Sequence, residues 1–410
     1  MRVLHISYSD KEGGAAIGAY RIHRAMESVG LDSRMWVKVK KTDDPSVFCR
    51  TSTLGRLYNL FARRVSILPL WIRRTRTLAQ FSTGFAPLGC SRAEIGSPDV
   101  LNIHWCGNGT FDVGLLRHFR STLTFITLHD YWPLTGGCHY PGSCIGFHSN
   151  CDLCPALFSG GRGIASSLLE GKLKSYINCN KIRFVATSEA MKSQVGLSRL
   201  GKHIQSVLIP LPIDQREFYF TSMGQARSEL GIDPLAPIVV FGAFGAFGDP
   251  RKGGDLLLEA LKIVTLKVPE VQLVTFGDAS DLGRLTRVRT INFGIVSQTD
   301  LQRKIYASGN VMIVPSRDET FGQTALEANS CGTPVVCFAR GGLTDVVGRN
   351  GAGILVQQLD PKSLASGILE QLGFVEDDEN RKLRAQRTQL DFGMRRIGSL
   401  YRDAICSFDA

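Results

Sequence analysis

The chain has 410 residues, of which 43% are hydrophobic and 43 are glycine, and this composition is typical of a globular α/β protein of two or three domains. It excludes an intrinsically disordered chain, which needs a lower hydrophobicity. The net charge of +11 favours anionic partners, such as nucleotide diphosphates or an anionic membrane. No nucleic-acid-binding signature accompanies that charge, so we expect no nucleic acid partner. No apolar run reaches about 18 residues and the start does not resemble a signal peptide, so we expect a cytoplasmic protein, with the inner face of the cell membrane as an alternative location.

Short β-rich runs alternate with amphipathic stretches along almost the whole chain. The predicted strands of the first half are 3–7, 33–39, 100–104, 124–128, 183–187 and 207–209, and those of the second half are 238–243, 272–276, 289–293, 311–314, 334–338 and 353–356. Strands that alternate with helices imply parallel sheets with crossover helices. The sequence therefore predicts an α/β fold with two doubly wound parallel sheets, each in a Rossmann-like domain.

The two series of strands are separated near residues 208–218, where Pro210 and Pro212 favour extended backbone. We predict a first domain over 1–212, a second over 213–390, and a C-terminal helical segment over 391–410 that packs back on the first domain. Ligands of such sheets bind outside the carboxyl ends of the strands. Two domains of this kind are therefore expected to face one cleft.

Two features of the first half lie at predicted strand ends. The segment Glu12-Gly13-Gly14-Ala15 joins the first strand to a helix predicted over 15–28, but it lacks the three spaced glycines of a dinucleotide-binding fingerprint. His104 and His129 each follow a strand. A substrate contact and a half-buried structural role are both open for these histidines.

A basic segment over 54–78 contains six arginines together with Tyr58, Phe61 and Trp71. Apolar residues recur in it at helical spacing. Such a helix can lie on an anionic membrane. The alternative is a helix that packs on its own domain with its arginines in water.

Four cysteines, Cys138, Cys144, Cys151 and Cys154, lie within 17 residues and end in a Cys-x-x-Cys pair. Four thiolates can hold a closed, structural zinc ion. The spacing between the first pair is longer than in common zinc ribbons, so a disulfide and free thiols stay open as alternatives. We predict a structural zinc site here.

The segment over 242–261 joins a strand to a helix through a glycine-rich loop and Arg251-Lys252-Gly253. Glycine permits a close approach of the backbone to a ligand. Lys252 offers a point charge to a diphosphate, and Arg251 offers a forked contact. A solvated helix start without a ligand is the alternative.

The segment over 315–336, PSRDETFGQTALEANSCGTPVV, carries Glu319 before a short predicted helix and Glu327 inside it. The N–H groups near Phe321, Gly322 and Gln323 lie at the helix start, where unpaired donors and partial positive charge favour a phosphate. A carboxylate beside them can bind sugar hydroxyls. One segment is thus expected to hold both a sugar and a phosphate.

This string, with Pro315-Ser316, Phe321-Gly322 and Gly332-x-Pro334, resembles the donor-site signature of the family 4 nucleotide-sugar glycosyltransferases, including bacterial exopolysaccharide and colanic-acid types. The resemblance implies the GT-B fold and a retaining mechanism. It also implies that Glu319 contacts the transferred sugar and that Glu327 binds the ribose hydroxyls of the nucleotide. Many members place the arginine several residues before the lysine, whereas here Arg251 adjoins Lys252.

The resemblance extends to three further positions. It implies that the loop at Gly294 holds the base, that Gly14 lies near the reaction centre, and that His129 lines the sugar and acceptor site. It assigns catalytic roles to His129, Glu319 and Lys252, and implies that Lys252 binds the diphosphate. No Asp-x-Asp motif ends a strand, so no catalytic metal is expected.

We therefore predict a retaining hexosyltransferase that takes a UDP- or GDP-linked sugar and acts on a glycan or lipid-linked oligosaccharide in surface polysaccharide synthesis. The departing phosphate is expected to take the acceptor's proton, with Lys252 and Arg251 stabilising its charge. A GT-B sugar-nucleotide epimerase and a non-catalytic sugar-nucleotide-binding protein are the alternatives.

Overall fold

The computed structural model describes residues 1–50, 59, 61–62, 64–72, 80–158, 163–243, 248–277, 288–348 and 351–408. Contacts between Cα atoms divide the chain into unit 1, formed by Met1–Leu211 and Ile397–Ala410, and unit 2, formed by Pro212–Arg396. In the part of the chain that the structure describes, no helix combines the length and hydrophobicity needed to cross a bilayer.

Unit 1 contains a seven-stranded sheet in the order β3-β2-β1-β4-β5-β6-β7, with every neighbouring pair parallel. Its strands are β1 (Arg2–Ser9), β2 (Asp32–Val39), β3 (Val47–Phe48), β4 (Val100–Ile103), β5 (Leu123–Leu128), β6 (Ile182–Ala186) and β7 (Ser206–Leu208). Strands β4 and β5 are buried along their whole length, because helices cover parallel sheets on both faces.

Unit 2 contains a six-stranded parallel sheet in the order β10-β9-β8-β11-β12-β13. Its strands are β8 (Ile238–Ala243), β9 (Gln272–Gly277), β10 (Arg289–Asn292), β11 (Val311–Val314), β12 (Val335–Phe338) and β13 (Gly353–Val356). The order reverses between β8 and β11: the chain leaves β8 towards β9 and leaves β11 towards β12. A reversal of this kind opens a crevice at the carboxyl ends of the two strands.

The helices lie between these strands or, for the last three, follow β13. In chain order they are α1 (Gly14–Glu27), α2 (Leu68–Ile72), α3 (Arg92–Ile95), α4 (Ile164–Ile177), α5 (Glu189–Leu197), α6 (Met223–Leu230), α7 (Gly254–Lys267), α8 (Thr299–Ser308), α9 (Gln323–Ser330), α10 (Pro361–Gly373), α11 (Asp378–Phe392) and α12 (Met394–Cys406). Side-chain caps set several starts: Ser188 accepts from the Met191 N–H before α5, and Asp360 accepts from two N–H groups before α10.

The sequence-based fold prediction is confirmed in class, since both units carry parallel sheets with crossover helices. Two details of the sequence prediction were wrong. The short edge strand β3 was missed, because two residues give no periodic signal. The helical segment predicted over 391–410 begins inside α11, and Gly393 separates α11 from α12. The predicted domain boundaries, 1–212, 213–390 and 391–410, stay a prediction.

Candidate functional site

The two loops that follow β8 and β11 meet at the reversal of strand order in unit 2. Strands β8 and β11 are direct neighbours, with Val239 opposite Val311. Their loops therefore emerge side by side. The Arg317 N–H donates to the Arg251 carbonyl at 2.7 Å and ties one loop to the other.

Lys252 and Glu319 form an ion pair where these loops meet. The Lys252 Nζ lies 2.7 Å from Oε2 of Glu319, and the side chains keep 27% and 16% of their accessible surface. The backbone beside Lys252 is fixed by Gly253, which has φ +66° and whose missing Cβ would lie 1.9 Å from the Pro315 carbonyl oxygen. Only glycine fits there, so the position of Lys252 follows from the approach of the two loops.

Four charged residues near the junction of these loops were not singled out from the sequence. Asp249 accepts from Nε of Arg251 at 3.1 Å, and Asp255 accepts from Nη1 of Arg317 at 2.7 Å. Asp318 is half-buried beside Glu319, and burial together with the charge of Glu319 raises the pKa of its carboxyl, while Arg251 and Lys252 oppose that rise. Arg251 is thus already engaged by Asp249. The sequence gives no signal for these contacts, because they form only where the loops after β8 and β11 approach each other in the fold.

Helix α9 begins directly behind Glu319. Gly322 precedes it with φ +99°, a conformation that favours glycine. The first N–H groups of any helix have no partner within it, so this start offers donors beside the carboxylate and the lysine. The Phe321 side chain is buried and packs edge-on against Phe392 with ring centroids 5.9 Å apart, which leaves only its backbone for a ligand.

The pair Gly341-Gly342, which follows β12, packs against the Glu319 turn. The Gly342 N–H donates to the Glu319 carbonyl at 2.8 Å, and a Cβ on Gly341 would lie 1.9 Å from that oxygen. These glycines therefore fix the backbone that carries Glu319.

Glu327 lies on the first turns of α9 and is almost fully buried. Its Oε2 accepts from the Tyr306 hydroxyl at 2.8 Å and from Gln302 at 3.4 Å, both on α8. Burial and the charge of Glu327 raise the pKa of Tyr306 far above its ordinary value, so the hydroxyl stays protonated and keeps donating. Tyr306 holds the carboxylate in place.

The remaining donor positions of unit 2 lie partly outside the described residues. Residues 244–247 of the glycine-rich loop are not described. Gly294 follows the edge strand β10 with φ +62°, and its carbonyl accepts from the Gly277 N–H at 2.7 Å. Its predicted contact with the base stays a prediction.

In unit 1, Gly14 begins the helix that comes after β1, and His129 directly follows β5. Gly14 is the first residue of α1 and follows Gly13, which has φ +86°. His129 is buried, and its Nε2 lies 2.9 Å from Nδ1 of His104. A Cβ on Gly18 of α1 would lie 3.2 Å from the His129 ring, so a larger residue at position 18 would press against the histidine.

We expect the free energy of unfolding to fall as the pH is lowered from 6.5 towards 4. Burial lowers the pKa of both His23 and His129 to about 4. In this window the unfolded chain binds protons that the folded chain excludes, so each histidine destabilises the fold by about 3 kcal/mol at the lower end. Urea unfolding across this pH range measures the loss, and His23→Gln is expected to make it shallower. A stability that stays constant across the range would contradict the burial of neutral histidines.

The four clustered cysteines line one cavity of about 220 Å³ in the segment after His129. All eleven cysteines of the chain are free thiols. The Gly146 N–H donates to the Cys144 sulfur at 3.4 Å, the Gly136 N–H donates to Cys151, and two N–H groups donate to Cys154. Such donors favour thiolates, the form that binds metal, but burial outweighs them and raises the pKa of Cys138, Cys151 and Cys154 above the ordinary value. Across the described residues, however, no three potential ligands already stand in a geometry that holds a metal ion.

The structural zinc site therefore stays a prediction, and zinc binding there requires the thiols to turn towards one point. We expect purified protein to carry about one zinc per chain by elemental analysis, and chelation to lower the Tm. Cys151→Ser with Cys154→Ser is expected to remove the metal. The exposed Cys406, changed to serine, is the matched control and should keep it. Protein that lacks zinc when grown and purified with zinc would contradict the prediction.

The basic segment predicted over 54–78 lies mostly outside the described residues. Three of its described apolar side chains are exposed: Phe61 at 49%, Leu68 at 42% and Trp71 at 62%. Exposed apolar side chains on a basic segment fit the membrane interpretation without deciding it.

The match to a known protein family lies within unit 2. Residues 238–373 match the model of the family described as Glycosyl transferases group 1. This range contains the Lys252–Glu319 pair, α9 and Glu327.

Relatives of known function match over part of the chain. D-inositol 3-phosphate glycosyltransferase of Segniliparus rotundus is 33% identical over 166 residues, which is 38% of this chain and 36% of that protein. The same enzyme of Geodermatophilus obscurus is 31% identical over 208 residues, which is 47% of this chain and 43% of that protein. The chain thus spans less than half the length of the curated relatives that it matches.

Solved structures match over nearly the whole chain. Sucrose-phosphate synthase of Thermosynechococcus elongatus has a TM-score of 0.67 at 19% identity and covers 99% of both chains. Anabaena Alr3699/HepE in complex with UDP-glucose has a TM-score of 0.62 at 17% identity and covers 99% of this chain and 100% of its own. At these identities the likeness shows the fold, which is the two-domain α/β architecture of GT-B proteins, as predicted.

Proposed function

We propose that this protein is a retaining glycosyltransferase that moves a sugar from a nucleotide diphosphate sugar to an acceptor hydroxyl. The observation that carries the proposal is the convergence of Lys252, Glu319 and the start of α9 at the reversal of strand order, inside the range that matches the group 1 glycosyl transferases. A cation, a carboxylate and helix N–H groups at one crevice suit a sugar joined to a diphosphate.

The donor is proposed to bind along the two loops of unit 2. Lys252 and the N–H groups at the start of α9 would hold the diphosphate, and Glu319 would accept hydrogen bonds from the sugar hydroxyls. Glu327, already held by Tyr306, would accept from the ribose hydroxyls. Alr3699/HepE was solved with UDP and with UDP-glucose, which favours UDP over GDP as the first nucleotide to test.

The chemistry is proposed to depend on positioning and electrostatics. The glycosidic oxygen leaves with the β-phosphate as the acceptor oxygen attacks from the same face, and the departing phosphate oxygen takes the acceptor's proton. Lys252 stabilises the negative charge that grows on the phosphate, and Arg251 can join it by exchanging Asp249 for the phosphate. Glu319, paired with Lys252, is an orienting group in this scheme and neither nucleophile nor base.

The acceptor is proposed to be a glycan or lipid-linked saccharide in surface polysaccharide synthesis. The relatives named D-inositol 3-phosphate glycosyltransferase support a second acceptor class, a phosphorylated cyclic polyol. The net charge of +11 suits either a phosphorylated polyol or a lipid pyrophosphate.

A peripheral membrane contact through the basic segment is part of this proposal. Vesicles that contain anionic lipid are expected to pellet more of the protein than neutral vesicles, because arginines add electrostatic attraction to the insertion of apolar side chains. Trp71→Ala should weaken pelleting. The exposed Leu235, at 90% exposure and outside the segment, is the matched control. Equal, weak binding to both kinds of vesicle would contradict the contact.

Transfer itself is tested by following nucleotide release with each donor, with and without a panel of glycan, lipid-linked and inositol phosphate acceptors. We expect release that depends on an acceptor, and a product whose anomeric configuration by NMR equals that of the donor. Release without an acceptor would favour an epimerase or hydrolase, and an inverted product would contradict retention.

A further inference from the structure

A chain of three buried histidines crosses the middle of the unit 1 sheet. His5 lies on β1, His104 follows β4 and His129 follows β5, and these three strands are direct neighbours. Nδ1 of His5 lies 2.8 Å from Nε2 of His104, and Nδ1 of His104 lies 2.9 Å from Nε2 of His129. All three side chains are buried, with exposures of 0%, 1% and 6%.

The two hydrogen bonds must run in the same direction. A neutral imidazole has one N–H donor and one acceptor nitrogen, so His104 donates in one bond and accepts in the other. Donation in both bonds would require an imidazolium. Burial lowers the pKa of His5 and His104 well below the ordinary value, and the neighbouring histidines lower that of His104 further. In the described part of the chain, two charged or titratable groups face the three histidines from outside. His23 also lowers the pKa of His5, and the charge of Asp130 partly offsets the effect of burial by raising the pKa of His129.

The environment of His5 determines the direction of the two hydrogen bonds. Nε2 of His5 is buried and has no hydrogen-bond partner among the described residues. If the bonds ran from His129 towards His5, this nitrogen would carry a buried N–H without an acceptor, which is rare in folded proteins. If they run from His5 towards His129, it carries only a lone pair. The second direction makes His5 the donor to His104, and His104 the donor to His129.

We propose that His5 and His104 are positioning residues that hold His129 as a neutral imidazole with its proton on Nδ1. Nε2 of His129 then accepts from His104, and Nδ1 carries the proton. This tautomer depends only on the fold. Its consequence rests on the proposed function: with both ring nitrogens committed in this way, His129 has no lone pair with which to remove the acceptor's proton.

The tautomer is read directly from ¹⁵N NMR of the full chain labelled at histidine, because protonated and unprotonated ring nitrogens have distinct shifts. Single variants at His5, His104 and His129 assign the signals. We expect all three residues to carry the proton on Nδ1 and to stay neutral from about pH 6 to 8. A proton on Nε2 of His129, or an imidazolium at His129 near pH 7, would overturn the proposal.

A remote variant separates positioning from packing. His5→Asp places an acceptor oxygen near the position of Nδ1, so a neutral His104 must donate from Nε2 and accept at Nδ1, and His129 is expected to gain the Nε2–H tautomer. His5→Asn keeps an N–H near the place of Nδ1 and should restore the wild-type signal. His23→Gln is the matched control, since His23 packs edge-on against His5 at 5.6 Å but bonds to Ser33 and Ser46. A His129 signal that is the same in wild type and in folded His5→Asp with a neutral His104 would contradict the relay.

Activity gives a second readout. If transfer is demonstrated, His104→Leu is expected to lower kcat about tenfold, the effect of one lost hydrogen bond, with little change in donor KM. Because the NMR experiment needs no substrate, an inactive protein would undermine the proposed function without touching the tautomer. A wrong tautomer in an active enzyme would overturn only this inference.

Discussion

Replacing Lys252 with alanine is expected to lower kcat/KM about a hundred- to a thousandfold, the cost of removing one preorganised charge from a developing anion. Lys252 Nζ lies 2.7 Å from Glu319, so the variant also leaves that carboxylate without its cation. Repulsion between Glu319 and the diphosphate then adds to the loss. Steady-state kinetics with the accepted donor measure both effects.

The matched control is Lys262→Ala. Lys262 forms a lysine–glutamate pair of the same 2.7 Å length with Glu259, but on the exposed surface of α7. Exposed pairs contribute about 0–1 kcal/mol to stability, so this variant should keep both fold and activity. Equal loss of activity in the two variants, or full activity in Lys252→Ala, would remove Lys252 from the site.

Glu327→Ala is expected to weaken donor binding about ten- to a hundredfold, because hydrogen bonds to a charged group contribute about 1.5–3 kcal/mol. It also leaves the fully buried Tyr306 hydroxyl without its acceptor at 2.8 Å. We therefore expect the free energy of unfolding to fall by about 1–3 kcal/mol as well. Calorimetric donor titration and urea unfolding separate the two losses.

Asp214→Ala controls for the loss of stability. Asp214 is another buried carboxylate of unit 2, and it accepts from Nη2 of Arg216 at 2.6 Å, outside the donor loops. This variant is expected to destabilise the fold while donor affinity stays that of the wild type. If Asp214→Ala and Glu327→Ala weaken donor binding equally, the effect of Glu327 is one of stability and its ribose contact is wrong.

The fold was predictable because its signals are local and repeated. Strands such as β11 and β12 are continuous apolar runs, and amphipathic helices such as α8, which lies between β10 and β11, alternate with the strands. The order of strands in each sheet carries no local signal. The neighbourhood of β8 and β11, which are separated by more than sixty residues in the chain, is known only from the structure.

The part of the site that lies within one continuous segment was predictable. This part comprises Glu319, the start of α9 and Glu327. The site was not predictable where two segments meet. The Lys252–Glu319 pair joins residues 67 positions apart, and Tyr306 reaches Glu327 from another helix. The histidine chain shows the same limit: His104 and His129 each drew attention as strand-end residues, but the link to His5 depends on the order of three strands.

The measurement that tests the central claim most directly is a thermal-shift panel of UDP-, GDP-, ADP- and dTDP-linked sugars. A ligand at about a hundred times its Kd stabilises the fold by about 2.7 kcal/mol. We expect one class of donor to raise the Tm of the wild type and of Lys262→Ala, and to leave Lys252→Ala and Glu327→Ala nearly unchanged. No shift with any donor, or the same shift in all four proteins, would contradict a nucleotide-sugar site at these loops.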